Sequence, residues 1–277
     1  MTEFTKMDHD EYREMKKQER NEVFEMLSES TQSLMDSAEM IRYLDLQARL
    51  FDQTISNTLL IKAQMPEANW IRTSSEWGQD NISPRKGQKA LKTLSSHSYR
   101  KEDNSLGTSY DVTKVFDVSQ TTAAERKIWT YKYHDVQDSV LHKFPCTLEI
   151  TPAVPEGGNA YYDHNQEVIF LKDGMTKDQT FLALVTELSC YELMRMDYSK
   201  SREDVLPYGE CAAYLLAKRY GIDAPAPNVD KLIERFEGKE EKQVRKELAD
   251  MKQSAAIIDV KVKEHQRMAR EDKESER

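Results

Sequence analysis

The spacing of apolar residues changes period along this chain, and that change limits its fold more than any other sequence feature. From Ile41 and Leu44 through Ala48 to Leu59 and Leu60 the apolar positions recur at helical spacing, and Met65-Pro66 ends the run. From Asn69 short apolar runs alternate with turn residues, in NWIRTSSEW, QKALKTL and SYDVTKVFDV. These predict two hairpin-like pairings with a polar loop at Lys101–Gly107. TLEIT is followed by AYYDHNQEVIFL, read as two strands around an Asp163-His164-Asn165 turn. Thr176-Lys177-Asp178-Gln179 is a capping-box pattern and starts a helix through FLALVTELSCYELMRM. Pro207 fits a first helical position, and Gly221 falls just past the end of ECAAYLLAKRY. Helices and strands come in blocks, which predicts an α+β fold.

The blocks divide the chain into four segments. A helical extension covers 1–31, a small mixed-sheet domain 32–125, a second α+β domain 126–229, and a C-terminal helix with a charged tail 230–277. Ala123–Tyr133 reads as a spacer, and Asp223–Val229, with Pro225 and Pro227, as a linker. Leu248, Met251, Ala255, Ile258, Val262 and His265 follow a 3,4,3,4,3 spacing. That seam is too short for an independent coiled coil and predicts a helix packed onto its own domain. The last nine residues are expected to fray.

Composition narrows the function. No stretch approaches ~18 consecutive apolar residues, and the N-terminus is charged from the start, so a cytoplasmic chain without a membrane span is expected. Three distant cysteines do not form a disulfide framework. A formal charge of −9 argues against a uniformly basic nucleic-acid coat. Charge by segment tells a different story: residues 1–31 hold nine acids and five bases, whereas 81–101 hold six bases and no acid. Arg85, Lys86, Lys89, Lys92, Arg100 and Lys101 are interleaved with His97 and Tyr99, and Trp70 and Trp77 lie just upstream. Cations for phosphates and flat rings for unpaired bases are what single-stranded nucleic-acid binding needs. The competing reading has the charges solvating one sheet face and the tryptophans filling the core.

The second domain carries a damaged motif. Zinc peptidases place H-E-x-x-H on a helix, so that two imidazoles share a face with a Glu general base. Here Glu187 is present, but Thr186 and Cys190 stand at the histidine positions. A neutral Thr hydroxyl is a poor zinc ligand, and without a metal Glu187 has no water to activate. A composite zinc site would have to draw on Cys190, Glu210, Cys211 and His164. The other reading makes the cysteines small hydrophobes. No catalytic residue and no cofactor is therefore expected.

Taken in chain order, these segments resemble the ArdC-like antirestriction family, including the LtrC-like proteins of Gram-positive conjugative elements. YLDLQARLFDQTISNTLLIKAQMPEA (43–68) looks like the opening helices of that family's single-stranded DNA-binding domain, ending in an Asn57…Gln64-x-Pro66 pattern. Trp77 and Lys86-Gly87 sit where the family has a tryptophan and a lysine-glycine pair. VFDVSQT (115–121) is similar to the segment closing that domain. YGECAAYLLAKRYGID (208–223) is close to the A-E-x-x-A-Y helix of the family's zincin-type domain, which makes Glu210 its third metal-ligand position. The likeness spans about 35–225 and departs at Thr186 and Cys190, and at Gln53, where a tyrosine is usual.

The resemblance implies a non-enzymatic single-stranded DNA-binding protein of a plasmid or phage, protecting incoming DNA from host defence. Its DNA contacts would come from the six basic residues above with Trp77, Tyr99, Asn57 and Gln64. Two alternatives remain open: a zinc metallopeptidase using Cys and Glu ligands, and a pseudo-peptidase module that docks a host protein in the zincin-like cleft.

Overall fold

A computed structural model describes residues 8–101, 103–123 and 139–275. The spacer at 123–133 and the boundary at 125/126 fall almost wholly outside the described residues. The chain forms two compact units, from the described residues of Met1–Leu34 with Asp52–Lys127, and of Met35–Phe51 with Ile128–Arg277. Both mix helices with a small sheet, an α+β architecture.

In the first unit, α1 (His9–Gln32) is capped by Asp8 and buries only Val23, Leu27, Ser30 and Thr31, so its N-terminal half lies in solvent. The helical run expected through residue 64 is broken at 50–54. Thr54 accepts from the Asn57 N–H and starts a new helix, α3 (Ile55–Gln64). Strand β1 (Ile71–Thr73) pairs with β3 (Leu106–Asp117), which forms a hairpin with β2 (Leu91–Arg100). Among the described residues of this unit β2 and β3 form the one hairpin, because Thr73 and Glu76 build a capping box and turn SSEW into α4 (Ser74–Gln79). The sheet order is β1-β3-β2, which leaves β2 at an edge. Leu59, Leu60 and Ile61 join Trp77, Leu91, Leu94 and Val115 among the buried residues. Beyond Leu94 both hairpin strands are largely exposed, forming a two-stranded arm.

In the second unit, β4 (Thr147–Thr151) runs parallel to β6 (Val168–Lys172), and β5 (Ala160–Asp163) runs antiparallel to it. The Thr176 capping box starts α5 (Lys177–Met196) as expected. Helix α6 (Arg202–Tyr220) starts at the Ser201–Asp204 capping box, five residues before Pro207. Proline therefore sits inside the helix, where it has no N–H for the carbonyl of Glu203. Arg235 Nη2 donates to that carbonyl at 2.9 Å, so the break in the ladder is satisfied from outside. Gly221 ends α6 in the left-handed conformation.

Helix α2 (Ser37–Arg49), capped by Asp36, packs on α6 although its sequence precedes the first unit's sheet. A short α7 (Asp230–Glu234) leads to α8 (Glu241–Ser275), which packs on α5 and α6. Of its predicted seam, Leu248, Met251, Ala255, Ile258 and Val262 are fully buried, while His265 is half-buried with Nδ1 2.9 Å from Ser139 Oγ. The helix runs to Ser275, through the residues expected to fray. No helix among the described residues is long and apolar enough to cross a membrane.

Candidate functional site

In the first unit one short segment fastens everything around it. Asp117 closes β3 with a side chain 1% exposed, and Oδ2 accepts from the N–H groups of Asn69 (2.8 Å) and Trp70 (2.9 Å). Its Oδ1 accepts from Ser119 N–H at 2.9 Å, so a buried charge is satisfied by backbone donors. Gln120 Oε1 accepts from Asp117 N–H, while its Nε2 donates to the Lys89 carbonyl at 2.7 Å. Arg85 N–H donates to Gln120 O at 2.8 Å, the Arg85 guanidinium donates to Ser119 O, and Thr122 N–H donates to Ser83 O. VFDVSQT is thus a fastener that holds the 83–89 loop. Arg85, Lys86 and Lys89 project from that loop into solvent, and Gly87 takes φ +87° to make the turn.

The other predicted contacts are dispersed. Lys92 lies on β2 with its ammonium 3.2 Å from Glu22 and 3.9 Å from Glu19 of α1. Lys16, then Lys92 and Lys114, hold the Glu19 carboxyl below its usual range. Arg100 and Lys101 are exposed at the far end of the arm, beside Asp103. At ~3.4 Å per residue the length of β2 puts them roughly 30 Å from the loop. Tyr99 is 47% exposed, its ring lying across Gly107, where a Cβ would come within 2.7 Å.

Three expected DNA contacts have structural duties instead. Trp77 is fully buried and donates Nε1–H to Phe116 O at 3.0 Å, so neither ring face can meet a base. Asn57 donates to Leu94 O (3.1 Å) and accepts from Leu94 N–H (2.9 Å). Gln64 does the same at Lys92, at 2.9 and 2.8 Å. Both amides therefore pair with the open edge of β2 as a neighbouring strand would, and their chemistry is spent there.

In the second unit Glu187 is 2% exposed on α5. Arg202, in the first turn of α6, donates Nε–H to Oε2 at 3.0 Å and Nη2–H to Oε1 at 2.5 Å. Tyr162 N–H, from β5, donates to Oε2 at 3.1 Å. The carboxylate at the general-base position thus holds a two-pronged ion pair and a strand amide. Arg202 is the residue that the sequence reading missed. It lies 15 positions from Glu187, at the start of another helix, and no local spacing reveals the pairing.

The metal-ligand positions do not fit a metal. Cys190 is 1% exposed, and burial, then the nearby Glu187 charge, push its thiol well above the usual range, so it stays protonated. It lies at the close crossing of α5 and α6, where a Cβ on Gly209 would come within 2.6 Å of Sγ. Glu210 is half-buried, with its carboxyl raised chiefly by desolvation. Cys211 is fully buried, its thiol also raised, and it lies near Tyr43 of α2. His164 is exposed on the β5–β6 turn. Thr186 offers a neutral hydroxyl, and the positive charge of Arg202 acts on both Cys190 and Glu210. Among the described residues no three His, Cys, Asp or Glu side chains are grouped to hold a metal ion.

No protein-family model and no curated protein matches the chain. Solved structures do. The metal-free crystal structure of the antirestriction protein ArdC from plasmid R388 superposes with a TM-score of 0.59 at 12% identity, over 86% of this chain and 98% of that one. Its Mn(II)-bound structure gives 0.54 at 11% identity over the same shares. At that identity the likeness speaks for architecture, and in architecture this chain shares the fold of ArdC.

Proposed function

We propose that this is a non-enzymatic antirestriction-type protein that binds single-stranded DNA through the Arg85–Lys89 loop. The observation that carries this reading is the rigid fastening of an acid-free, solvent-facing basic loop to the buried Asp117–Gln120 segment. A loop fixed before binding loses little conformational freedom when it meets a phosphate backbone. The shared fold with an antirestriction protein supports the wider role, protection of incoming plasmid or phage DNA. The Glu187–Arg202 pair supports the absence of hydrolysis, since a carboxylate held in a two-pronged ion pair is a weaker base than a free one.

Anisotropy titration of a labelled 20-nucleotide strand at several salt concentrations tests the reading. Each phosphate contact contributes about −0.7 to the log–log salt slope of single-strand binding. Replacing Lys86 and Lys89 by Ala is expected to flatten that slope by about 1.4. Binding that ignores salt, or a slope unchanged in the double variant, overturns it.

A further inference from the structure

With Trp77 in the core, the loop's neighbourhood lacks the flat ring that unpaired bases stack on, yet the same fastener holds another planar surface. Trp70, half-buried just before β1, is tied by its own N–H to Asp117 (2.9 Å) and by its carbonyl to Val118 N–H (2.8 Å). The Arg72 guanidinium carbon lies 4.4 Å from the Trp70 ring centre and 5.3 Å from that of Trp77. Trp77 meets Trp70 edge-on at 5.0 Å, bracing the indole from the core side. Asp80 accepts from Arg72 Nη1 at 2.7 Å and so limits how the guanidinium can rotate. The Arg72 side chain keeps 32% of its surface, so this layer is open to solvent.

The exposed part of this guanidinium, held beside the indole, is available to another π-system, and nucleobases stack on such planes without regard to sequence. Asp80 offsets much of the charge of Arg72, so this layer suits a base better than a phosphate. The phosphates have their own cations, Lys86 and Lys89, on the loop bonded to the same 117–122 segment.

We propose that the Trp70–Arg72 stack is the base-binding element of the interface, taking one unpaired base on the outer face of the guanidinium while neighbouring phosphates lie on the 85–89 loop. This deepens the single-strand reading and rests on it. Its ligand is an unpaired nucleobase of any identity.

The test pairs protein variants with a modified strand. Full-length wild type, Arg72→Met, Trp70→Leu, Trp70→Phe and the Lys86→Ala/Lys89→Ala double variant are titrated with a thymidine 20-mer and with an abasic 20-mer of identical backbone. Wild type is expected to bind the thymidine strand at least about fivefold more tightly, the lower bound for one stacked base. Arg72→Met and Trp70→Leu should erase that preference and leave the salt slope unchanged, and Trp70→Phe should restore most of it. The lysine double variant should weaken both strands and keep the preference. A salt-dependent wild type whose preference survives Arg72→Met overturns the stack and leaves the reading intact. A wild type that binds neither strand overturns both.

Discussion

Glu187 and Arg202 are each largely withdrawn from water, at 3% and 23% side-chain exposure, and each is tolerable there because of the other. Removing one partner strands a buried charge, which costs about 3–5 kcal/mol, whereas removing both leaves a small apolar gap. Arg202→Met is therefore expected to lower stability by that amount in urea unfolding. Adding Glu187→Leu should recover a large part of the loss. Additive losses in the double variant would show that the pair is not coupled. Glu187 was legible in the sequence because T-E-L-S-C keeps the frame of a known motif. Arg202 was not, since a partner on another helix leaves no periodic trace. Asn57 and Gln64 stand out through the family pattern Asn57…Gln64-x-Pro66, which does not say what they bind, and only the register of β2 shows that they pair with backbone.

At the scale of elements, edge strand β2 is protected by side chains instead of by a further strand. Gln64→Leu removes both bonds at Lys92, leaving a donor and an acceptor without partners at a cost of about 1–3 kcal/mol. Hydrogen exchange is expected to quicken about fivefold or more at the Lys92 amide. The Thr93 amide, which faces β3, should keep its protection. Equal change at both positions would mean general loosening of the sheet. Elements with a strong period were legible: the α8 seam and the Thr176 and Gly221 helix limits appear where the sequence puts them. The α2–α3 break and α4 were missed because apolar spacing outweighed the Thr54 and Thr73 cap signals. Pro207 misled because its helix tolerates it only through Arg235, a long-range contact.

For the molecule as a whole, the net charge of −9 hides a division of labour. Acids of α1 pair with Lys92, while Arg85, Lys86 and Lys89 of the loop remain exposed. The misfit of Thr186, Cys190 and Glu210 to a metal has a consequence for stability too. Anything that binds only the native state raises the melting temperature. EDTA, or a fivefold excess of Mn(II) or Zn(II), is expected to leave it unchanged within a degree or so, as read by calorimetry. A rise with either ion would overturn the misfit. The crowded crossing at Gly209 limits what can stand at position 190. A larger ring at position 190 needs space that α6 does not leave, and Arg202 must depart before Glu187 can serve any other partner. Either change alone is expected to destabilise the unit, by overpacking or by stranding the Glu187 charge. Refitting these two helices around a cation would therefore take coordinated changes at 190, 202 and 209.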